Sequence, residues 1–576
     1  MTESSTSHAS REPCPKPASG TRNRRRAWVH AWALPVLAGV LYGLGFAGYD
    51  MWPCALVAFV PLFVSVRWPG SSERPDGSGP SAAPLRARQI FARGFVTGFV
   101  ANAMGYYWLV GMLENFSGFP WIVCVAIALL LCAYQAGLTG TFTLGWQWAQ
   151  RHGAAPVVAA AGCWVVVEWA YPILFENYYA NSVHQLPLAI QIADLGGPLL
   201  VSALLLASSA AVYEVLYAQA LRRAVFASDL ALNLAPNLTP TVAPAERYTS
   251  RQSHALRWAG GVLVLWALTL GYGSYRIDQV QKHTRRAPTL MVGAVQVNMG
   301  IFSKRDDPRE GLRRHIRDSL ALEAAVKPDL IVWPESAYTY WIPDSVTNIR
   351  KYVTGPLQTP VLFGGLAMRG AQGQERHFNT AFIADQHGNL HGSYDKTYLL
   401  AFGEYLPLGE WFPFLYRLSP HTGKFTAGSH VRALPLTKDN RTYRLATLIC
   451  YEDILPSFVR GMVKKNNPHL LVNITNDAWF GDTLEPWIHL ALAKFRSVEH
   501  HRYMVRATNS GVSAIIDPTG RVVEHTGVMT RESISHRVAL LTGRTLYERF
   551  GNWPVGLALM AAAGLLRFGR ERTRRG

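Results

Sequence analysis

Eight apolar runs recur along the chain, near Trp28–Ala47, Met51–Val66, Ile90–Leu113, Pro120–Ala149, Ala155–Leu174, Leu186–Tyr217, Trp258–Tyr275 and Trp553–Phe568. A helix needs about 20 apolar residues to cross a hydrocarbon core. Lipid offers backbone groups no hydrogen-bond partner, and an apolar run of this length can satisfy its own as a helix. The second run is short and reads as tilted or re-entrant. The fourth and sixth exceed one crossing and are expected to include interfacial turns.

The remaining sequence is not of this type. Only 16 % of the 576 residues are charged and 49 % are hydrophobic, yet the mean hydropathy is +0.07. Membrane-embedded or soluble sequence alone would move that average further, so the chain combines both, and its length calls for more than one unit. The net charge of +18 could suggest nucleic acid. The arginines, however, sit at the ends of apolar segments and not along one amphipathic face, which is the pattern of orientation in a membrane.

Met1–Gly20, rich in Ser, Pro and Thr, reads as disordered, within a cytoplasmic tail over residues 1–27. Arg22, Arg24, Arg25 and Arg26 then precede the first apolar run. No small-residue cleavage site follows before Tyr49, so this run is read as a retained span and not a signal peptide. With the N-terminus cytoplasmic, alternation puts Arg67 to Arg93, Arg151, Arg222 to Arg257 and the terminal arginines of 569–576 inside. The short outer loops Glu114–Phe119 and Phe175–Gln185 hold no Lys or Arg. That agreement with the positive-inside rule predicts a membrane domain over 28–275 with about seven helices and a last helix over 553–568. The segment between them falls on the outer side. Gly39 and Gly43 have helix-packing spacing. Glu168 is a costly charge in an apolar stretch, and its partner is left open.

From Pro288 the pattern becomes that of an α/β domain, expected over 288–545. Thr289–Gln296, Asp329–Val332, Val361–Gly365, Leu445–Cys450 and His469–Ile474 read as buried strands. Leu312, Ile316 and Leu320 recur every four residues on an amphipathic helix. In layered α/β folds, functional groups gather at strand ends and in the loops beyond. Glu335 follows one strand, Cys450 ends another, and Lys396 lies between them in the chain. A thiol needs a base to become a thiolate, and a carboxylate can serve. A cation near an attacked carbonyl stabilises the oxyanion. Taken singly, these residues have ordinary readings as turn, surface and core residues. Of the six cysteines, Cys54, Cys124, Cys132 and Cys163 belong to the spans or their edges and Cys14 to the tail, which leaves Cys450 alone in the outer domain. A lone thiol in an oxidising compartment is either buried and inert or kept for chemistry.

Trp333-Pro334-Glu335, Tyr394-Asp395-Lys396-Thr397-Tyr398 and Ile449-Cys450-Tyr451-Glu452, in that order, resemble the Glu–Lys–Cys triad of the nitrilase superfamily. Phe402-Gly403-Glu404-Tyr405-Leu406-Pro407, Phe425-Thr426-Ala427-Gly428, the run Asn473 to Gly481, and Arg496 to Gly511 resemble the apolipoprotein N-acyltransferase branch. The resemblance spans nearly the whole chain, because that family also sets a nitrilase domain between the last two of eight spans. It implies a multi-pass α-helical domain plus an αββα nitrilase-like sandwich outside the cytoplasm, in a bacterial inner membrane. The family's usual His and Pro are Tyr398 and Ala401 here, and its Asn-Ile-Pro-Gln is Asn298-Met299-Gly300-Ile301.

The resemblance implies a ping-pong transfer. Glu335 is the base, Cys450 the nucleophile that becomes a thioester, and Lys396 the oxyanion stabiliser. The donor is a phospholipid and the acceptor the α-amino group of a diacylglyceryl-cysteine on an apolipoprotein. Glu404 is expected to orient Lys396, Glu452 to order the thiol or the amine, and Tyr451 to shape the pocket. Two segments are unusually apolar for exposed loops: Leu406–Leu418, with Trp411 and Phe412, and Ala478–Leu492, with Trp479 and Phe480. They are expected to meet acyl chains or the bilayer, with Trp479 and Phe480 as lid candidates. A membrane-tethered amidase, in which water resolves the thioester, uses the same triad. A transporter would predict internal repeats, and none is evident. The outer-domain histidines, including His500-His501, lack a His-Glu-x-x-His pattern, so no metal or other cofactor is expected.

Overall fold

The structure is a computed structural model that describes residues 20–67, 85–234, 245–300, 307–371, 373–400, 403–406, 409–418 and 422–575. The tail up to residue 19 with Cys14, the stretch 68–84, Ile301, Ala401, Phe402 and Pro407 lie outside these residues.

The first half is helical: α1 (Gly20–Leu44), α2 (Val60–Arg67), α3 (Ala87–Gly105), α4 (Leu109–Ser117), α5 (Trp121–Arg151), α6 (Pro156–Ala170), α7 (Pro198–Leu234) and α8 (Ala245–Arg286). Among the described residues, three helical segments are long and apolar enough to cross a membrane: Trp121–Arg151, Pro198–Arg223 and Arg251–Arg286. The second apolar run is broken by turns at 56–59 into a four-residue helix and α2. At 1.5 Å per residue α2 reaches only about 12 Å, too short to cross alone. One expectation fails here. The fourth run carries no interfacial turn, because α5 is continuous for 31 residues. The break falls instead in the third run, where Tyr106–Trp108 separate α3 from α4. The sixth run does begin with short turns before α7.

Small residues let α1 approach α3. A Cβ on Gly39 would lie 2.6 Å from the Thr97 carbonyl oxygen, so only glycine permits this spacing. Glu168, on α6, is buried and accepts a hydrogen bond from the Tyr179 backbone N–H at 2.7 Å. Its partner is thus a loop amide that no helix bond would otherwise satisfy.

α8 leads directly into a two-sheet domain. One sheet has the order β13-β1-β2-β4-β5-β6, with β3 beside β4; the other runs β12-β11-β10-β9-β8-β7. The strands of the first are β1 (Thr289–Gln296), β2 (Leu330–Val332), β3 (Tyr338–Pro343), β4 (Val361–Arg369), β5 (Arg376–Ala384), β6 (Leu390–Asp395) and β13 (Glu532–Ala539). Those of the second are β7 (Leu434–Lys438), β8 (Arg441–Ile449), β9 (Leu470–Thr475), β10 (Met504–Thr508), β11 (Ala514–Ile516) and β12 (Val522–His525).

Alternation along the strands builds the layers. Leu330, Val332 and Leu362 join the core shared with the second sheet, whereas Ile331, Trp333, Val361 and Phe363 face a separate core with α9 (Pro308–Val326). Both faces are covered, which explains the unbroken apolar runs of the parallel strands. On the far side, α10 (Pro456–Asn466) packs Val459, Met462 and Val463 against the second sheet. The outcome is the αββα sandwich. In α9 the buried positions are Gly311, His315, Ser319 and Leu322, while Leu320 is 38 % exposed. The four-residue spacing therefore located the helix but put Leu320 on the wrong face. The last helix, α12 (Trp553–Arg575), returns to pack against α6.

The two halves are pinned together by buried charge. Asp194, 0 % exposed, accepts from Tyr272 Oη at 2.8 Å and Arg276 Nε at 2.6 Å, and faces His501 Nε2 of the sandwich at 3.2 Å. Lys494, on α11 (Glu485–His500), donates to the His184 carbonyl at 2.8 Å.

Candidate active site

The three strand ends converge although the outer two, Glu335 and Cys450, lie 115 positions apart in the chain. Glu335 leaves β2 through a turn in which Ser336 takes φ +51°. β4 passes so close that a Cβ on Gly364 would lie 2.6 Å from the Glu335 Cα. Lys396 follows β6, its backbone N–H donating to the Asn379 carbonyl at 2.8 Å. Cys450 follows β8 with φ +51°, a left-handed conformation that a side-chain-bearing residue adopts only where its surroundings enforce it. Here they do. The Asn473 amide donates to the carbonyls of both Leu448 and Cys450 at 3.3 Å.

Lys396, 1 % exposed, places Nζ 2.7 Å from Glu404 Oε2 and 3.2 Å from Glu335 Oε1. The Asn379 amide donates to Glu335 Oε1 at 2.6 Å and to Glu404 Oε1 at 2.7 Å, tying the carboxylates together. Burial works against the Lys396 ammonium, but Glu335, Glu404 and the adjacent sulfur outweigh it and hold its pKa well above the usual range. Burial, and after it the charge of Glu335, pushes the Cys450 thiol well up, with Lys396 opposing. Two carboxylates around one ammonium already leave a negative excess, so the resting sulfur keeps its proton beside a base. The arrangement can activate a thiol at the moment of attack and offers a fixed cation to an oxyanion.

Glu452 is spent on structure. Its Oε1 accepts from Tyr394 Oη at 2.7 Å and from the backbone N–H groups of Thr397 at 2.7 Å and Tyr398 at 3.1 Å, and its Oε2 from that of Ile449 at 2.9 Å. It staples the Lys396 turn to the Cys450 turn. Burial pushes its carboxyl up to about 7 against those donors. Tyr451 donates to the Leu174 carbonyl at 2.9 Å, so it ties a loop of the helical half to the turn that carries the thiol. Tyr398 is 52 % exposed and packs edge-on to Phe458. Asn298 donates to the Met529 carbonyl at 2.5 Å, away from the triad.

The thiol opens into an apolar cavity lined by Tyr106, Trp108 and Phe175 of the helical half and by Phe480, Ile488 and Leu492. Phe480 therefore sits at the thiol, and Trp479 packs beside it on the α4 cluster. Asn115 on α4 donates to the Trp479 carbonyl at 3.5 Å. Trp411 and Phe412 are 81 % and 48 % exposed and do not line this cavity. The segment Ala478–Leu492 is not an exposed loop. From Glu485 it is the start of α11, with Ile488, Leu490, Ala491 and Leu492 buried at the junction of the two halves.

Sequence reasoning missed Asn379, although a lone Asn inside Phe378–Ala384 was a visible break in an apolar strand. It also missed a buried network behind Cys450. Arg506 donates to Asp453 at 2.8 Å, Asn473 at 2.9 Å and Asp477 at 2.9 Å, and His489 lies 2.8 Å from Asp453 and 3.3 Å from Asp477. Burial and Arg506 work against the imidazolium, but Asp453 and Asp477 hold His489 up at about 10. Asp477, Glu485 and His489 lie close enough to suggest a cation site. Within the protein, however, His489 is already paired with Asp453 and Asp477 with Arg506.

A buried Glu–Lys–Cys set at the ends of strands in an αββα sandwich, opening onto membrane helices, defines a membrane-bound enzyme of the carbon–nitrogen hydrolase class. Residues 291–545 match the family model described as carbon-nitrogen hydrolase, and residues 38–211 match that of the apolipoprotein N-acyltransferase N-terminal domain. An apolipoprotein N-acyltransferase of Azotobacter vinelandii is 31 % identical over 94 % of this chain and 95 % of its own. That of Geobacter metallireducens is 28 % identical over 93 % and 95 %. Among solved structures, Saccharomyces cerevisiae Nit3, a member of branch 10 of the nitrilase superfamily, aligns with a TM-score of 0.34 and 16 % identity over 44 % of this chain and 90 % of its own. The chain belongs to the apolipoprotein N-acyltransferase family.

Proposed function

We propose that the protein transfers an acyl chain from a membrane phospholipid to the α-amino group of a diacylglyceryl-cysteine at the N-terminus of an apolipoprotein. Glu335 takes the Cys450 proton as sulfur attacks the ester carbonyl, and Lys396 faces the developing oxyanion. The proton passes to the departing lysophospholipid, and a thioester remains on Cys450. The amine then bonds to the acyl carbon, the C–S bond breaks with its electron pair going to sulfur, and a proton from nitrogen restores the thiol through Glu335. One observation carries this reading: the cavity at the thiol is walled by Tyr106, Trp108 and Phe175 of the helical half. The carbonyl end of an acyl chain would meet apolar groups there. Extracting the chain into water would cost about 0.8 kcal/mol per CH₂.

The charge distribution supports a bacterial inner-membrane location, several crossings, both termini in the cytoplasm and the sandwich, over about 288–545, on the outer side. The exposed Trp411 and Phe412 suit contact with the bilayer. The same triad in a tethered amidase would release the acyl group to water, and the apolar wall at the thiol disfavours that outcome. The test is intact mass after incubation with phospholipid, alongside Cys450→Ala. An acyl adduct on the wild type alone, discharged by a diacylglyceryl-cysteine peptide and not by water, is the expected result. Discharge by water at the same rate would instead support the amidase.

A further inference from the structure

The second half-reaction meets a difficulty that the triad does not resolve. An α-amino group has a pKa of about 7.7–8.0, so near pH 7 the acceptor arrives mostly as an ammonium, which cannot attack a thioester. Glu335, which already accepts from Lys396 and Asn379, can take only one of the two protons that the ammonium must lose. A second carboxylate lines the cavity. Glu485, at the first turn of α11, shares it with Cys450, and the residue is only 9 % exposed. Its Oε2 has no hydrogen-bond partner among the described residues, and its Oε1 lies 3.8 Å from His489 Nδ1. An unpaired buried carboxylate oxygen is costly unless a ligand completes it.

We propose that Glu485 receives the acceptor's α-ammonium group and takes one of its protons before the amine attacks the thioester, a role that rests on the acyl-transfer reading above. The groups facing Glu485 are His489 on its own helix, Asp477 after β9, Asp453 after β8, Arg506 on β10 and, across the cavity, Glu176 of the helical half. Burial, then the charge of Asp477, pushes the Glu485 carboxyl up to about 8. At neutral pH the empty site therefore holds a proton, which an arriving ammonium releases to solvent. The pair then shares its remaining protons between groups of nearly equal affinity, so free amine is populated in the cavity at little cost. The atoms balance. The amine nitrogen bonds to the acyl carbon, the C–S bond breaks with its electron pair going to sulfur, and two protons leave nitrogen. One goes to Glu485 and the other, through Glu335, to Cys450. Glu485 ends neutral, as it began.

The experiment preloads wild type and Glu485→Gln with an acyl chain from phospholipid and follows thioester loss by intact mass on adding a diacylglyceryl-cysteine peptide between pH 6 and 9. Glu485→Gln should charge at the wild-type rate and discharge about tenfold more slowly at pH 7, where about one amine in ten is unprotonated. The difference should close by pH 9. A nucleophile that is already unprotonated at pH 7, such as hydroxylamine, should discharge both proteins equally. Equal peptide discharge at every pH overturns the proposal, and so does a deficit that persists at pH 9 or extends to hydroxylamine. Failure of Glu485→Gln to charge also overturns it, because the residue would then serve the first half-reaction or the fold. Failure of the wild type to charge counts instead against Cys450 as the acylated nucleophile.

Discussion

The ring of Phe480 meets that of Trp108 edge-on, with centroids 5.0 Å apart, and the two residues come from opposite halves of the chain. Both line the Cys450 cavity, so this contact closes part of its wall where the sandwich rests on the helices. Aromatic pairs of this kind contribute about 0.5–1.5 kcal/mol beyond burial. Phe480→Ala and Trp108→Ala should each shorten the life of the acyl-enzyme against water severalfold. The double variant should add little, because both substitutions remove the same contact. Thioester half-life by intact mass checks this, and unchanged half-lives would show that this contact does not keep water out.

The titration of Cys450 follows from its neighbours. An ordinary thiol titrates near about 8.5; this one is pushed well up, by burial first and then by Glu335. Alkylation by iodoacetamide should therefore still be accelerating above pH 9. Glu335→Gln removes a negative charge and should shift the profile to lower pH, even as acyl transfer falls. Lys396→Met removes the compensating cation and should shift it to higher pH. A wild-type midpoint below pH 8 would contradict the charge balance described here.

Loss of the Glu452 staple should act through shape and not through chemistry. Glu452→Gln turns one acceptor oxygen into a donor facing donors, and each buried group left unsatisfied costs about 1–3 kcal/mol. The expected outcome is a lower melting temperature in detergent together with slower acylation, because the Lys396 and Cys450 turns lose their common anchor. Unaltered melting would show that the turns are held by other means.

Asp194 offers a test of how the halves dock. Asp194→Ala leaves Arg276, His501 and Tyr272 facing one another without their shared acceptor. The Arg276 side chain is 28 % exposed, so solvent reduces the penalty below that of a fully buried pair, to about 1–3 kcal/mol. Limited proteolysis should cut the α8–β1 connection faster in the variant, with the sandwich itself remaining resistant. Equal cutting rates would mean that other contacts dominate the docking.

Trp411 and Phe412 lie outside the thiol cavity, and their replacement by Ser separates lipid contact from chemistry. Acylation from phospholipid vesicles should slow severalfold, while a water-soluble short-chain ester should acylate Cys450 at the wild-type rate. Equal slowing with both donors would assign the pair a part in the site itself.

Much of this molecule was legible in its one-dimensional pattern. Apolar run length and basic loops marked the helices, because lipid tolerates no unsatisfied backbone and charge is costly within it. Strand ends such as Val332 before Glu335 and Ile449 before Cys450 were visible because β-type apolar runs stop where polar groups begin. Those signals are local, and so is their physics. Which residues meet across hundreds of positions depends on register and docking, for which periodicity carries no information. Only the folded chain brought Asn379 between Glu335 and Glu404, set the Glu452 carboxylate on two turns at once, and placed Trp108 opposite Phe480. Leu320 shows the same limit on a small scale: its spacing matched the buried stripe, but the sheet lay against the neighbouring face. Glu485 was hidden for the same reason. In sequence it is an acid in an apolar stretch, and it becomes a carboxylate with one unpartnered oxygen in the thiol's cavity only when α11 packs between the sandwich and the membrane helices.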